Sequence, residues 1–291
     1  MAHNEKAVIF KCGEERLIGI VHGAGCAAVG VLVIVGGPQY RVGSHRQFLL
    51  LARYLANNHI PVMRFDYRGM GDSEGGFRTF ENVGGDIRAA IDNFFETSPG
   101  LKSIILWGVC DAASAALFYG HSDPRVRGMI LLNPWGRTEA GEAKAYLRHY
   151  YVRRLFDKEL RQKILGGKFE LRKSFSSLLD FVNKSRGEKV STASGSGTNG
   201  EMRDIAPLPE RMCEGLKHFQ GMVRIIISGD DLTAAEFQDM VKDSKTWQKL
   251  MRDKGVEYHF LPKANHTFSR RVWRDEVAEQ TLRWVVCLNE S

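Results

Sequence analysis

A short apolar run that turns at once into a helix-forming stretch constrains this chain more than any other feature. Ser103 to Trp107 (SIILW) is apolar and β-branched, the pattern of a buried strand. Ala112 to Tyr119 (AASAALFY) is small and apolar and favours helix. Between them stands Gly108-Val109-Cys110-Asp111-Ala112. A strand that bends sharply into a helix holds its central residue in a strained backbone, and it needs small residues two positions to either side. The five residues match the nucleophile elbow G-x-S-x-G, with Cys110 in the serine position and Ala112 in that of the second glycine. Buried structural cysteines are also common, so the assignment depends on what other stretches bring to the same place.

Length and composition set the frame. The 291 residues suffice for one large α/β domain with an insertion. A hydrophobic fraction of 43% and a mean hydropathy of −0.26 suit a globular protein with a full core. The start, MAHNEKAVIFKCGEERL, lacks an apolar core, so no signal peptide is expected, and Ala27 to Val35 is too short to span a bilayer. The cysteines at 12, 26, 110, 213 and 287 are scattered, with no C-x-x-C. That excludes a disulfide framework or zinc site as the organising feature and fits a reducing cytoplasm. No metal or cofactor is called for. The net charge of +7 is concentrated: Lys144 to Lys189 holds 13 Lys and Arg against 5 Asp and Glu. That segment carries no nucleic-acid-reading motif.

In chain order, Ala7 to Cys12 and Arg16 to His22 form an opening hairpin, and Gly30 to Val35 is a continuous apolar strand ending in Gly36-Gly37-Pro38-Gln39. Ser44 to Gln47 has the spacing of a capping box for a helix to about Asn57. Pro61 to Asp66 is the next strand, which makes a βαβ unit and hence a parallel sheet. In DYRGMGDS (66–73) the Asp66 and Arg68 side chains are expected to pair as scaffold. A helix from about Phe80 to Thr97, a strand at Gly128 to Asn133 and a strand at Val223 to Ser228 follow. Thr233 to Glu236 reads as a second capping box, opening a helix to about Asp253. Val256 to Leu261 is the last strand, and the helix from about Arg270 carries an apolar stripe at Trp273, Val277, Trp284, Val285 and Leu288. Regularity breaks at Pro134. Residues 1–136 and 223–291 are read as the core, and 137–222 as an inserted helical cap with a flexible loop near 187–203.

Ligands of an open α/β sheet bind beyond the carboxyl ends of its strands. Cys110, the Asp230/Asp231 pair and His266 each follow a strand, and their order of nucleophile, acid and histidine is that of one enzyme superfamily. The sequence resembles the α/β-hydrolases over nearly all of the core, about Val31 to Gly136 and Val223 to Leu288, through Gly36-Gly37-Pro38, DYRGMGDS, GVCDA, SGDD and ANHTF in that order. More narrowly it resembles the exosortase A system-associated hydrolases. The residues behind that likeness are GGPQYRVGSHRQF (36–48), RFDYRGMGDSEG (64–75), GVCDAASAAL (108–117) and SGDDLTAAEF (228–237). The resemblance implies an α/β-hydrolase fold, a mostly parallel sheet of about eight strands flanked by helices with an inserted cap. It also implies a setting in bacterial exopolysaccharide and protein sorting. Two departures stand out: Val35 replaces the histidine of a common His-Gly-Gly-Pro, and the nucleophile is cysteine, as in dienelactone-type hydrolases.

The chemistry this implies is a triad in which His266 takes the Cys110 proton and Asp231 orients the imidazole, with Asp230 as the alternative acid. Asp231 is favoured because the narrower family's motif places its acid there. The oxyanion would be met by the N–H groups of Gly37 and Asp111, since Pro38 has none. Gln39, Arg41, His45, Tyr146 and Arg153 are candidate substrate contacts, the last two in the basic segment, where an anionic substrate would be attracted. The substrate is a small-molecule or carrier-linked ester or thioester. Acyl transfer with the same triad and a non-catalytic ligand-binding fold are the competing classes.

Overall fold

A computed structural model describes residues 5–23, 27–37, 39–136 and 206–290. An antiparallel hairpin, β1 (Glu5–Cys12) and β2 (Glu15–His22), opens the chain. Then come β3 (Val29–Ile34), β4 (Val62–Phe65), β5 (Ser103–Val109), β6 (Val126–Leu132), β7 (Met222–Asp230) and β8 (Glu257–Asn265). They form one eight-stranded sheet in the order β1-β2-β4-β3-β5-β6-β7-β8. Only β2 runs against its neighbours, and from β4 to β8 every pairing is parallel. Each residue of β3 and β4 is buried; in β3 this explains the unbroken apolar run, while β4 buries Arg64 among its apolar residues. The fold expected from the sequence is thus present, with strand ends shifted by at most four residues.

The helices are α1 (Gln47–Asn57), α2 (Gly84–Thr97), α3 (Asp111–Gly120), α4 (Leu208–His218), α5 (Leu232–Asp243), α6 (Lys245–Asp253) and α7 (Arg271–Glu290). α1 packs against α7, while α2 and α4 both pack against α3. Trp107 on β5 ties the α1–α7 layer to the sheet. It is fully buried, meets Phe48 edge-on at 5.7 Å and donates its indole N–H to Thr281 Oγ1 at 3.2 Å. The stripe on α7 is core as expected, with Val277, Trp284, Val285 and Leu288 all buried. α4 lies within the 137–222 stretch read as cap, yet it packs on α3. Gly215 permits this, because a Cβ there would strike the Leu117 carbonyl. The rest of the cap and its loop near 187–203 lie outside the described residues.

Local pairings differ from the sequence reading in an instructive way. Neither capping box forms. The α1 N-cap is Arg46, in the left-handed region and without a side-chain cap, and the Ser44 N–H is held by Gln39 Oε1 at 3.0 Å. The cap of α5 is Asp231, whose carboxylate accepts from Thr233 N–H at 3.2 Å and Ala234 N–H at 3.1 Å. The helix expected to run on to Asp253 breaks at Ser244, which caps α6. Phe80–Asn82 is a 3-10 turn, and α2 begins only at Gly84. Asp66 does not pair with Arg68. The buried Asp66 carboxylate binds the Arg41 N–H at 2.6 Å and the Arg41 guanidinium, while Arg68 pairs with the buried Asp86 of α2 at 2.9 Å. Two buried carboxylates each need a cation, and partners from other elements meet that need better than a neighbour two residues away.

One splice between strands positions the later loops. Asn133, just past β6, has φ 43° and is fully buried. Its Nδ2 donates to Ser228 Oγ at 2.8 Å and to the His266 carbonyl at 3.0 Å, and its Oδ1 accepts from the Ser228 N–H at 2.8 Å. One amide thus joins β6, β7 and the loop after β8. Replacing it leaves two backbone groups and a hydroxyl unpartnered in the interior. Asn133→Ala is expected to cost about 2–4 kcal/mol, read as a fall in the urea midpoint at unchanged m-value. A loss below about 0.5 kcal/mol would mean that water replaces the amide at no cost.

Candidate active site

The turn from β5 into α3 is the sharp one the sequence requires. Cys110 has φ 62° and ψ −124°, a backbone region that non-glycine residues rarely occupy. It is held there from three sides. Its N–H donates to the Leu132 carbonyl at 2.8 Å, and its carbonyl accepts from Ala113 N–H at 3.1 Å and Trp135 N–H at 3.2 Å. The small flanking residues have a steric basis. A Cβ on Gly108 would lie 2.7 Å from the Ala112 carbonyl carbon and 2.9 Å from the Ala113 nitrogen. Ala112 is tolerated in the second glycine's place, its side chain buried. Cys110 itself is half-buried at the start of α3.

His266 sits in the loop after β8. Asn265 shapes that loop, its Oδ1 accepting from Ser269 N–H at 3.0 Å and its Nδ2 donating to Ser269 Oγ at 2.8 Å. His266 Nδ1 lies 2.8 Å from Asp231 Oδ2. Burial works against a charged imidazole here. Hydrogen bonds and charge from Asp231, and likewise from Cys110 within hydrogen-bonding reach, outweigh it and push His266 up to about 10. Asp231 is buried and therefore serves two partners, α5 and His266. Asp230, at the end of β7 and exposed, pairs in register with Asn265 instead. The structure thus brings Cys110, His266 and Asp231 together and leaves Asp230 out of the imidazole's hydrogen bond.

The amides expected to meet an oxyanion are arranged differently from the simple expectation. Gly37 has φ 57° and turns its N–H toward α3, but that N–H donates to Asp111 Oδ2 at 2.8 Å. Asp111 Oδ1 accepts from Ala112 N–H at 2.9 Å. Burial holds this carboxyl above its usual range, while the amide bonds and the His266 charge pull against it. The side chain of Asp111, unlike its N–H, was not singled out by sequence.

The other candidate contacts are dispersed. Gln39 holds the Ser44 turn, His45 is exposed with φ 54°, and Arg41 is taken up by Asp66 and by Asp72 at 2.7 Å. Tyr146 and Arg153 lie outside the described residues. Asn133 escaped the sequence reading because its role depends on contacts made 95 and 133 residues away. Cys12 and Cys213 are thiols whose pKa burial pushes up, and Cys287 is exposed. Among the described residues no group of three or more His, Cys, Asp and Glu could hold a metal, and no helix is long and apolar enough to cross a membrane.

Comparison with known proteins follows the same outline. A family model described as the alpha/beta hydrolase family matches residues 20–280. A search of curated proteins finds no match. Among solved structures, the esterase Pf2001 of Pyrococcus furiosus is 16% identical, with a TM-score of 0.62 over 98% of this chain and 94% of that one. Est1E of Butyrivibrio proteoclasticus, solved with ferulic acid bound, is 13% identical, with a TM-score of 0.61 over 96% and 98%. Dienelactone hydrolase of Anabaena variabilis is 14% identical, with a TM-score of 0.57 over 98% of both chains. Identities this low carry the likeness of fold alone.

Proposed function

We propose, starting from a chain that belongs to the alpha/beta hydrolase family, that Cys110 is the nucleophile of a hydrolase acting on an ester or thioester. The reading rests on the 2.8 Å bond between His266 and Asp231, with Cys110 in reach of the same ring. An imidazole that holds its proton to about 10 is the counter-ion a cysteine thiolate needs. The thiolate attacks the acyl carbonyl, a C–S bond forms and the carbonyl π pair moves to oxygen. His266 then gives its proton to the departing alkoxide or thiolate, leaving the acyl group on Cys110 as a thioester. Water, deprotonated by His266, attacks that thioester and releases the acid. An acceptor hydroxyl or amine in place of water would make the same cycle an acyl transfer. The closer resemblance in GVCDAASAAL and SGDDLTAAEF supports an exosortase or exopolysaccharide setting and names no molecule, while the basic 144–189 segment suits an anionic small-molecule or carrier-linked acyl substrate.

The direct test is to trap the acyl-enzyme. Incubation with a panel of acyl thioesters and p-nitrophenyl esters should add one acyl mass to the intact protein at Cys110, and Cys110→Ala should abolish it. A protein that binds these esters without ever gaining mass would be a non-catalytic member of the fold.

The acid assignment is tested separately. Asp231→Asn presents an amide where His266 Nδ1 needs an acceptor and should lower kcat by roughly 10²- to 10⁴-fold. Asp230→Asn should stay within about threefold of wild type, because it removes no bond to the imidazole. The reverse ranking would transfer the role to Asp230.

The pH dependence has a defined sign. Below about 10 the ring carries the proton its leaving group requires, and above it that proton is lost. The acylation limb of kcat/KM should therefore fall as pH rises through about 10. A fall centred near the ordinary histidine value of about 6.5 would show that the ring does not rest as the imidazolium.

A further inference from the structure

An anion already occupies the place where the proposed chemistry would create one. Beside Cys110 the amides of Gly37 and Ala112 converge, one from the glycine turn after β3 and one in the first turn of α3. Such a nest of N–H groups at a helix start favours negative charge. The Asp111 carboxylate fills it, with Oδ2 2.8 Å from the Gly37 nitrogen and Oδ1 2.9 Å from that of Ala112. Gly36 is bare for the same reason. A Cβ there would run into Asp111 Oδ1, and would also lie 2.8 Å from the Val109 carbonyl and 3.0 Å from the Ala112 nitrogen.

We infer that the Asp111 side chain is a built-in occupant of the oxyanion hole, which a substrate's carbonyl oxygen must displace before acyl transfer to Cys110. The inference deepens the acyl-hydrolase reading and rests on it. The occupant resembles what it excludes: a carboxylate oxygen accepting backbone N–H bonds stands in for the oxygen of a tetrahedral intermediate. Among the described residues apart from its chain neighbours, a Cβ built on Gly37 meets nothing within 4 Å. Two features make the carboxylate displaceable. Burial disfavours its charge and holds the group above the usual carboxylate range, so the amide bonds are partly offset. The hold also depends on one short side chain, which a rotation about χ1 removes without moving the backbone. A substrate that binds weakly elsewhere cannot drive this exchange, so the occupant biases the site toward acyl donors anchored by further contacts.

The experiment compares two reactions of Cys110 that differ in their need for the hole. Acylation by p-nitrophenyl acetate passes through an oxyanion, and the p-nitrophenol burst reports its rate. Alkylation by iodoacetamide is a direct displacement at carbon, in which sulfur bonds carbon as iodide leaves, and no oxyanion forms. In Asp111→Ala the freed Gly37 and Ala112 amides should raise the acylation rate relative to the alkylation rate by at least about tenfold, since one such donor is worth roughly 10²–10³ in rate. Asp111→Asn keeps an oxygen for the Gly37 N–H without the charge, and its ratio should fall between wild type and Ala. If Ala does not fold, judged by circular dichroism, Asp111→Ser is also too short to reach Gly37 and takes its place. An equal rise in both reactions would reduce Asp111 to an electrostatic influence on the thiolate and overturn the proposal. A drop in acylation with alkylation intact would overturn it in favour of Asp111 taking part in the chemistry. Normal alkylation with no acylation in any form would sink the acyl reading, and the occupant with it.

Discussion

The backbone of Cys110 is the constraint on which the site depends. A φ of 62° in a residue with a Cβ is costly, on the order of 1–3 kcal/mol. It persists because β6 and the segment after it satisfy the Cys110 N–H and carbonyl. The strain has a geometric return. It ends β5 and starts α3 within one residue, so a side chain from the strand end and the first amides of the helix face the same space. Every neighbouring small residue follows from that turn: Gly108 yields to the Ala112 backbone, and Gly36 yields to Val109 and Asp111. A Cβ at 108 or 36 would collide with this frame.

The sheet was legible because its causes are local. Val31 to Ile34 and Ile104 to Trp107 are buried on both faces, and a strand covered on both faces is written mostly in apolar residues. The elbow was legible because steric exclusion leaves a glycine in the sequence. The caps were not, because a cap is chosen by whichever acceptor the tertiary fold delivers first. Thr233 has the right spacing to Glu236, yet Asp231 arrives from the end of β7 already pointing at the α5 amides. The Asp66–Arg68 reading failed for a related reason: Arg41 and Asp86 come from elsewhere in the chain, and each supplies a more complete set of hydrogen bonds.

The choice between two adjacent carboxylates shows where spacing stops being informative. Successive side chains of extended backbone point to opposite sides. Asp230 and Asp231 therefore cannot both face His266, but nothing in the residues themselves says which one does. Two coupled facts decide it in the fold. Asp231 is the extended residue at which α5 begins, φ −150°, and its carboxylate is buried against the helix's first amides. Those amides fix the carboxylate, and Oδ2 accepts from both the Ala234 N–H and the imidazole. A helix cap and a histidine orienter are thus one interaction, so loosening either end loosens both.

The charges around His266 give the proposed cycle its direction. One imidazole faces Asp231 and Cys110, feels Asp111 at longer range, and is held up to about 10 against the opposing effect of burial. A ring raised this far is present as the imidazolium near neutral pH, so it has a proton to give a departing group and cannot, while it keeps that proton, accept one from water. The first half of the cycle needs the acid and the second half needs the base. Acylation of Cys110 resolves the conflict, because a thioester carries no charge and makes no ion pair with the ring. One of the influences raising His266 disappears at the moment the acyl group arrives, and loss of the proton to the leaving group leaves the ring neutral. In the proposed cycle the ring, neutral once its proton has gone to the leaving group, is then free to accept one from water, while the Asp231 hydrogen bond holds the same nitrogen throughout.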